Sequence, residues 1–220
     1  MLELDFAVAD AAPVVQGLSP MLAFKVRIAC RVEAQEIKAV ILQAQIQLQP
    51  AQRAYSDGEK GKLVELFGAP AEWGRTLRNR LWAQASANVP PFTGHTETSL
   101  LVPCTYDLSL AATKYFYGIE DEDVPLLFLF TGSIFYCAKD GRLQIQPISW
   151  DTEAEYRMPL RFWQQALDYH FPNSASICLQ KDVFDRLAAR KRASGAATWE
   201  EMMNALLDSN KESLETEVSV

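Results

Sequence analysis

The sequence predicts an α+β fold, mainly an antiparallel β-sandwich or curved sheet with a short inserted helix and a packed C-terminal helical segment. Over residues 22–48 and again from residue 96, apolar residues recur at every second position, which is typical of strands with one buried face. After residue 158 they recur at helical spacing. We therefore assign residues 1–150 to the sheet, residues 158–207 to helices packed on it and residues 208–220 to a flexible acidic tail.

Length and composition narrow the class of protein. The chain has 220 residues, a formal net charge of -7 and 49% hydrophobic residues, as expected for one globular domain with or without an appendage. The negative net charge argues against a broad basic surface, so we expect no nucleic-acid partner. No apolar run reaches the roughly 20 residues of a spanning helix, and the first residues lack a secretory pattern. We expect a cytoplasmic protein without membrane insertion.

Two strands are predicted over residues 22–32 and 38–49. In the first, apolar residues alternate mostly with charged ones; in the second, they alternate with the glutamines Gln43, Gln45, Gln47 and Gln49. Because the link between the strands is short, we expect an antiparallel pair. Its outer face would be basic on one strand and glutamine-rich on the other. Such a face is either simply wetted or presents hydrogen-bond donors to a partner.

A short helix is predicted near residues 57–67. Ser56 followed by Glu59 is a capping-box pattern, and Gly68 is a typical helix stop. The next segment, residues 73–90, suits a helix as well as a strand. The sequence leaves that choice open.

From residue 96 the alternation predicts a meander of antiparallel strands. One strand passes through Cys104, and the alternation resumes over residues 108–112. The run 126–137 has apolar residues at both odd and even positions, as expected for a central strand covered on both faces. Asp140 and Gly141 mark a hairpin turn into a partner strand.

Three helices are predicted in the C-terminal segment. The first has Pro159 at its first position, the second ends in a basic turn before Gly195, and the third begins with the capping box Thr198 to Glu201. On this third helix, an apolar stripe contains Trp199, Met202, Met203 and Leu206. Core packing explains such a stripe first, but a methionine-rich face is also typical of an adaptable binding surface. These four are our candidate partner-binding residues.

Reactive side chains are sparse and scattered. The four cysteines, Cys30, Cys104, Cys137 and Cys178, include no C-x-x-C pair, so we expect buried thiols rather than disulfides. His95 precedes Cys104 by nine residues, which span about 30 Å if the chain is extended. We therefore expect a structural role for both.

The alternative is a cysteine-dependent small enzyme or metal carrier that uses Cys104 with His95 or His170. None of the three has the spacing of zinc ligands. Motifs for phosphate loops, dinucleotide sites, nucleophile elbows and zinc proteases are missing from the sequence. We predict no catalytic residue, no metal and no cofactor.

Six stretches carry a family resemblance: LAFKVRI, LVELFG, WGRTLRNRLW, FTGHTETSLLVPCTYDLSLAATKYF, PISWDTEAEYRMPLRFWQQALDYHFPN and TWEEMMNALL. Together, over about residues 4–207, they resemble an uncharacterised bacterial family, a domain of unknown function encoded near operons for actinobacterial-type nickel–iron uptake hydrogenases. The resemblance implies participation in hydrogenase assembly or function and assigns no catalytic residue.

The resemblance and the scarcity of motifs favour the same function. We expect a non-enzymatic accessory protein that binds a protein partner, such as a hydrogenase subunit or maturation factor. Self-association through an exposed sheet edge or face is a further hypothesis.

Overall fold

A computed structural model describes residues 2–32, 34–104, 110–120, 123–138, 140–175, 177 and 179–217, with side chains up to residue 209. The chain divides into two compact units, Met1–Ser174 and Ala175–Val220.

The first unit holds nine strands and four α-helices within the described residues. The strands are β1 (Leu4–Pro13), β2 (Met21–Cys30), β3 (Glu36–Leu48), β4 (Arg80–Val89), β5 (Phe92–Thr93), β6 (His95–Pro103), β7 (Asp123–Cys137), β8 (Leu143–Pro147) and β9 (Glu153–Pro159). The helices are α1 (Asp57–Phe67), α2 (Trp73–Thr76), α3 (Leu110–Gly118) and α4 (Leu160–His170).

The strands form two antiparallel sheets. Sheet A has the order β1-β2-β6, and sheet B has the order β4-β3-β7-β8, with β5 beside β3 and β9 beside β7. The long strand β7 pairs with β9 through its first half and with β8 through its second half. The predicted α+β class, rich in antiparallel strands and ending in helices, is confirmed.

The predicted pairing of the strands at 22–32 and 38–49 is wrong. Strand β2 lies between β1 and β6, whereas β3 lies in the other sheet between β4 and β7. The link after β2 therefore carries the chain from one sheet to the other, which a short connection can do in a sandwich. The basic and glutamine-rich faces consequently belong to different sheets. On sheet A, Lys25 and Arg27 form ion pairs with Glu97 of β6.

Helix α3 corrects a second prediction. The alternation over residues 108–112 predicts a strand, but a helix begins at Leu110, and residues 105–109 lie outside the described residues. Ala112, Tyr115 and Phe116 are buried, and their spacing of three and four residues defines one helix face. The segment left open at 73–90 forms both elements, α2 and then β4.

Strands β1 and β9 are not predicted by the sequence pattern. Strand β1 buries alternate residues only at its start, with Leu4 and Phe6 inward. Strand β9 is mostly polar and lies just before α4, where the helical spacing begins. Both find their partners, β2 and β7, through contacts that a local pattern does not encode.

Aromatic side chains join the two sheets. Phe24 of β2 meets Phe128 of β7 with ring centroids 5.2 Å apart, and Phe6 of β1 stacks on Phe130 of β7 at 5.0 Å. Helix α4 packs against β1, β2 and β9. The core therefore lies between the sheets and extends under the helices.

The second unit consists of α5 (Lys181–Ser194) and α6 (Trp199–Glu217). Gly195 ends α5 with a left-handed backbone, φ 71°. The predicted capping contact is present, because the Glu201 N–H donates to Thr198 Oγ1 at 3.1 Å. Helix α6 continues to Glu217 and so includes most of the predicted acidic tail, residues 208–220. The flexibility of this tail stays a prediction, and residues 218–220 lie outside the described residues.

Candidate functional site

The three residues of the predicted enzymatic alternative lie on different elements. His95 begins β6 and is exposed, whereas Cys104 follows the other end of the same strand. Nine strand residues separate the two by about 30 Å. His170 ends α4. Extended β6 therefore keeps His95 away from Cys104.

Cys104 is a buried thiol with backbone neighbours. Its Sγ lies 4.0 Å from the carbonyl oxygen of Val102, and its N–H donates to Pro20 O at 2.8 Å. Burial raises the pKa of Cys104 to about 12. The thiol is thus protonated at neutral pH, and a protonated thiol is a poor nucleophile and metal ligand.

His170 ties a helix end to a loop. Its Nδ1 lies 3.0 Å from Ala166 O, one turn earlier in α4, and its Nε2 lies 3.0 Å from Gly17 O in the link between β1 and β2. Both ring nitrogens thus contact backbone carbonyl oxygens, one in the helix and one in the loop. The ring therefore has a packing role here.

The described part of the chain holds no cluster of metal-ligating side chains. No three side chains of His, Cys, Asp or Glu in it converge to hold a metal ion. Cys30, Cys104 and Cys137 are free thiols, and Cys178 lies outside the described residues.

A buried polar cluster surrounds Glu59 at the N-terminal end of α1. Glu59 accepts hydrogen bonds from the Ser56 N–H at 2.8 Å and the Glu120 N–H at 2.9 Å, and it pairs with Arg53 at 2.7 Å. Burial alone would raise the pKa of Glu59, but these amides and the Arg53 charge lower it on balance. The cluster stabilises the N-terminal end of α1, where the predicted capping box lies.

The four residues of the predicted binding stripe on α6 differ in how exposed they are to solvent. Met202 is 2% exposed, Met203 and Leu206 are half-buried, and Trp199 is 36% exposed. Trp199 lies against Phe184 of α5 with ring centroids 5.5 Å apart. The apolar surface open to solvent therefore includes residues beyond the predicted stripe.

We call the exposed large apolar side chains of the second unit the helical apolar surface. Its members are Ile177, Leu179, Val183, Phe184, Trp199 and Leu207. Helix spacing indicates that Val183 and Phe184 lie on one face of α5, but it does not distinguish a buried face from an exposed one. Within the described part of this unit, Met202 is the only fully buried hydrophobic side chain.

The glutamines of β3 provide another solvent-facing surface. Gln43 and Gln45 are exposed, whereas their neighbours Leu42, Ala44 and Ile46 are buried. The sequence predicts this alternation correctly at Gln43 and Gln45, but it is wrong at Gln49, which was predicted on the same face and is buried. An exposed tryptophan, Trp150, lies at the border of the same surface, and no periodicity marks it.

Comparison with known proteins places the chain in a family. It belongs to the family of unknown function DUF6084, whose model matches residues 1–215. No curated protein matches the sequence. None of the helices in the described ranges has the length and hydropathy needed to cross a membrane.

Two solved structures show weak similarity. One is a protein of Arabidopsis thaliana with 12% identity and a TM-score of 0.38, covering 70% of this chain and 82% of that one. The other is a candidate late embryogenesis abundant (LEA) protein with 18% identity and a TM-score of 0.29, covering 72% of this chain and 74% of that one. Similarity at this level assigns no function.

Proposed function

We propose that this protein is a non-enzymatic accessory or assembly protein of a cytoplasmic nickel–iron hydrogenase system, and that it binds a protein partner. The system is suggested by the family resemblance of the sequence. The observation that carries the binding role is the helical apolar surface on α5 and α6.

Leaving the helical apolar surface in contact with water costs free energy. Fully burying one such side chain is worth about 1.5–3 kcal/mol. Phe184, Trp199 and Leu207 remain exposed, although a two-helix unit gains most of its stability from tertiary packing. A partner that covers them would gain this free energy at binding. Tryptophan is also among the residues that most often dominate interface energies.

The environment of Cys104 supports a binding role over catalysis. Burial holds its thiol in the protonated form, and extended β6 separates it from His95. The proposed activity needs neither a nucleophile nor a metal.

The test is co-purification of the tagged full chain with hydrogenase components from its native host. We expect a hydrogenase subunit or maturation factor to be recovered with the unmodified protein. The double variant Phe184→Ala/Leu207→Ala should bind at least about tenfold more weakly, as for interface residues worth more than 1 kcal/mol.

The matched control is Leu143→Ala/Ile145→Ala on β8, which removes two exposed apolar side chains from the first unit. It should bind normally. Equal loss in both variants, or recovery of no hydrogenase component by the unmodified protein, would contradict the proposal.

A further inference from the structure

The outer face of sheet B contains a groove lined by neutral polar side chains. Its volume is about 470 Å³. Half of its ten lining residues carry an amide or a hydroxyl group, namely Gln43, Gln45, Gln84, Ser86 and Thr131, and the others are Ala44, Ala85, Leu129, Phe130 and Trp150. We call this the glutamine groove. Its volume falls within the range of about 300–1,000 Å³ that is usual for small-molecule sites.

Strand register brings these side chains together. Gln43 of β3 lies opposite Ser86 of β4 and Thr131 of β7. One rung further, Gln45 lies opposite Gln84 and Leu129. Side chains directly opposite each other in antiparallel strands start from Cβ atoms about 4.5–5.5 Å apart. The groove thus contains two successive rows of neighbouring side chains, each row running across β4, β3 and β7.

The polar groups of these two rows face solvent. Gln43, Gln45, Gln84, Ser86 and Thr131 are exposed, and within the described ranges their side chains make no hydrogen bond to the protein. Each amide offers two donor hydrogens and an acceptor oxygen, and each hydroxyl donates and accepts. The groove therefore presents neutral groups that can both donate and accept, at backbone positions that the strand register sets.

Trp150 is held at the border of the groove by an anchored turn. The Ile148 N–H donates to Gly132 O at 3.0 Å, and the Phe130 N–H donates to Thr152 O at 2.9 Å. Both ends of the turn are therefore bonded to β7. The indole itself is 92% exposed. An exposed aromatic ring on an anchored turn, next to polar groups, is a usual arrangement of a recognition site, in which the ring supplies contact area and the polar groups supply orientation.

Charge limits the class of ligand. No charged side chain lines the groove. The flanking strand β9 places Glu153 opposite Leu129, so the adjoining surface is acidic. An anion such as a phosphate would find no counter-charge here and a repulsive neighbour.

Hydroxyl-rich neutral ligands match the remaining chemistry. A sugar ring has hydroxyl groups around its rim, which donate and accept like the amides, and an apolar C–H face that can lie on an indole. An extended peptide fits less well, because the backbone of β3 already pairs with β4 and β7 and has no free edge to offer. We propose that the glutamine groove binds a neutral saccharide, with Trp150 as the stacking platform and Gln43, Gln45 and Gln84 as the hydrogen-bonding groups.

This proposal does not depend on the hydrogenase role, because the helical apolar surface belongs to the other unit. The test uses the full chain labelled with ¹⁵N and titrated with neutral tetrasaccharides, namely maltotetraose, cellotetraose and xylotetraose. At least one should give saturable shifts at millimolar concentration in the Trp150 indole N–H and the side-chain amides of Gln43, Gln45 and Gln84.

Variants on the surface separate stacking from hydrogen bonding. Trp150→Ala should weaken binding at least about tenfold, Trp150→Phe should retain part of it, and Gln45→Ala should weaken it severalfold. Gln144→Ala, which removes an exposed glutamine of β8 outside the groove, is the matched control and should bind normally.

Three results would overturn the proposal. The first is the absence of saturable shifts with all three saccharides. The second is binding that Trp150→Ala leaves unchanged. The third is a groove that binds an extended peptide and no saccharide.

Discussion

The sandwich and the C-terminal helical unit differ in how they bury apolar side chains. In the sandwich, Phe24 is 0% exposed and contacts the rings of Trp82, Phe128 and Tyr156. In the described part of the helical unit, Met202 is buried while Phe184 is 47% exposed. Phenylalanines of the same chain thus stand in opposite environments.

This difference suggests separate tasks. The sandwich has a core that extends from both sheets to α1, α3 and α4, so its stability does not require another molecule. The helical unit has too little buried surface to be strongly stable by itself. Weak local stability is common in elements that order on binding.

The largest effect should come from matched phenylalanine truncations. Phe24→Ala should lower the free energy of unfolding of the sandwich by about 4 kcal/mol, because it leaves a cavity among three aromatic rings. Phe184→Ala should change it by less than about 0.5 kcal/mol, as surface substitutions do. Urea unfolding followed by tryptophan fluorescence measures both. Similar losses of unfolding free energy in the two variants would contradict the proposed difference in packing between the two units.

Matched glycine substitutions should give the next effect. A Cβ on Gly132 of β7 would lie 1.9 Å from the carbonyl oxygen of Ile41, and its φ of 138° already disfavours a side chain. Gly132→Ala should therefore cost about 3 kcal/mol, since backbone must move. Gly195→Ala meets open space and should cost about 1 kcal/mol, confined to the helical unit. Thermal unfolding of each variant distinguishes the two.

The buried pair of Arg53 and Glu59 should make the sandwich sensitive to acid. At neutral pH, Glu59→Gln should cost about 3 kcal/mol, because it removes a buried carboxylate charge that pairs with Arg53. The pKa of Glu59 in the folded protein lies below its ordinary value of 4.5. Its stabilisation is therefore complete above about pH 5 and is lost as the pH falls through the folded pKa.

The difference between the unmodified protein and Glu59→Gln should accordingly shrink on acidification. Asp57→Asn, at the exposed start of the same helix, is the control; Lys60 lowers the pKa of Asp57 too, but this exposed pair should give a much smaller change with pH. Unfolding curves at several pH values provide the measurement. A difference that stays constant with pH would show that ionised Glu59 does not stabilise the fold.

The last prediction concerns the reactivity of the Cys104 thiol and not the stability of the fold. With a pKa of about 12, its thiolate fraction near neutral pH is about a thousandfold below that of an ordinary thiol. Cys104 should remain unlabelled by a maleimide in the folded protein, while half-buried Cys30 and Cys137 react. Peptide mass mapping assigns each site, and labelling in urea shows that all thiols can react. Fast labelling of folded Cys104 would favour the enzymatic alternative.

Local patterns of the sequence predicted local structure well. The Ser56 and Glu59 pattern identified α1 with its capping box, and the alternation in β3 separated buried from exposed residues. Strand partners were harder to predict. The link after β2 is equally compatible with a hairpin and with a crossing between sheets, and only packing of the whole core decides between them.

The candidate surfaces were partly visible in the sequence. The glutamines of β3 were recognised as a polar face, but Gln84, Thr131 and Trp150 join them only through sheet register and an anchored turn. The stripe on α6 was recognised as well. That Met202 is buried while Leu207 is 64% exposed depends on packing, which spacing along one helix does not contain.

Hydrogen–deuterium exchange of the full chain tests the contrast between the units most directly. We predict slow exchange for the amides of β3 and β7 and exchange orders of magnitude faster throughout α5 and α6, with protection of α5 and α6 appearing when a hydrogenase component that co-purifies is added. Amides of α5 and α6 that are as protected as those of β3 in the free protein would contradict the account.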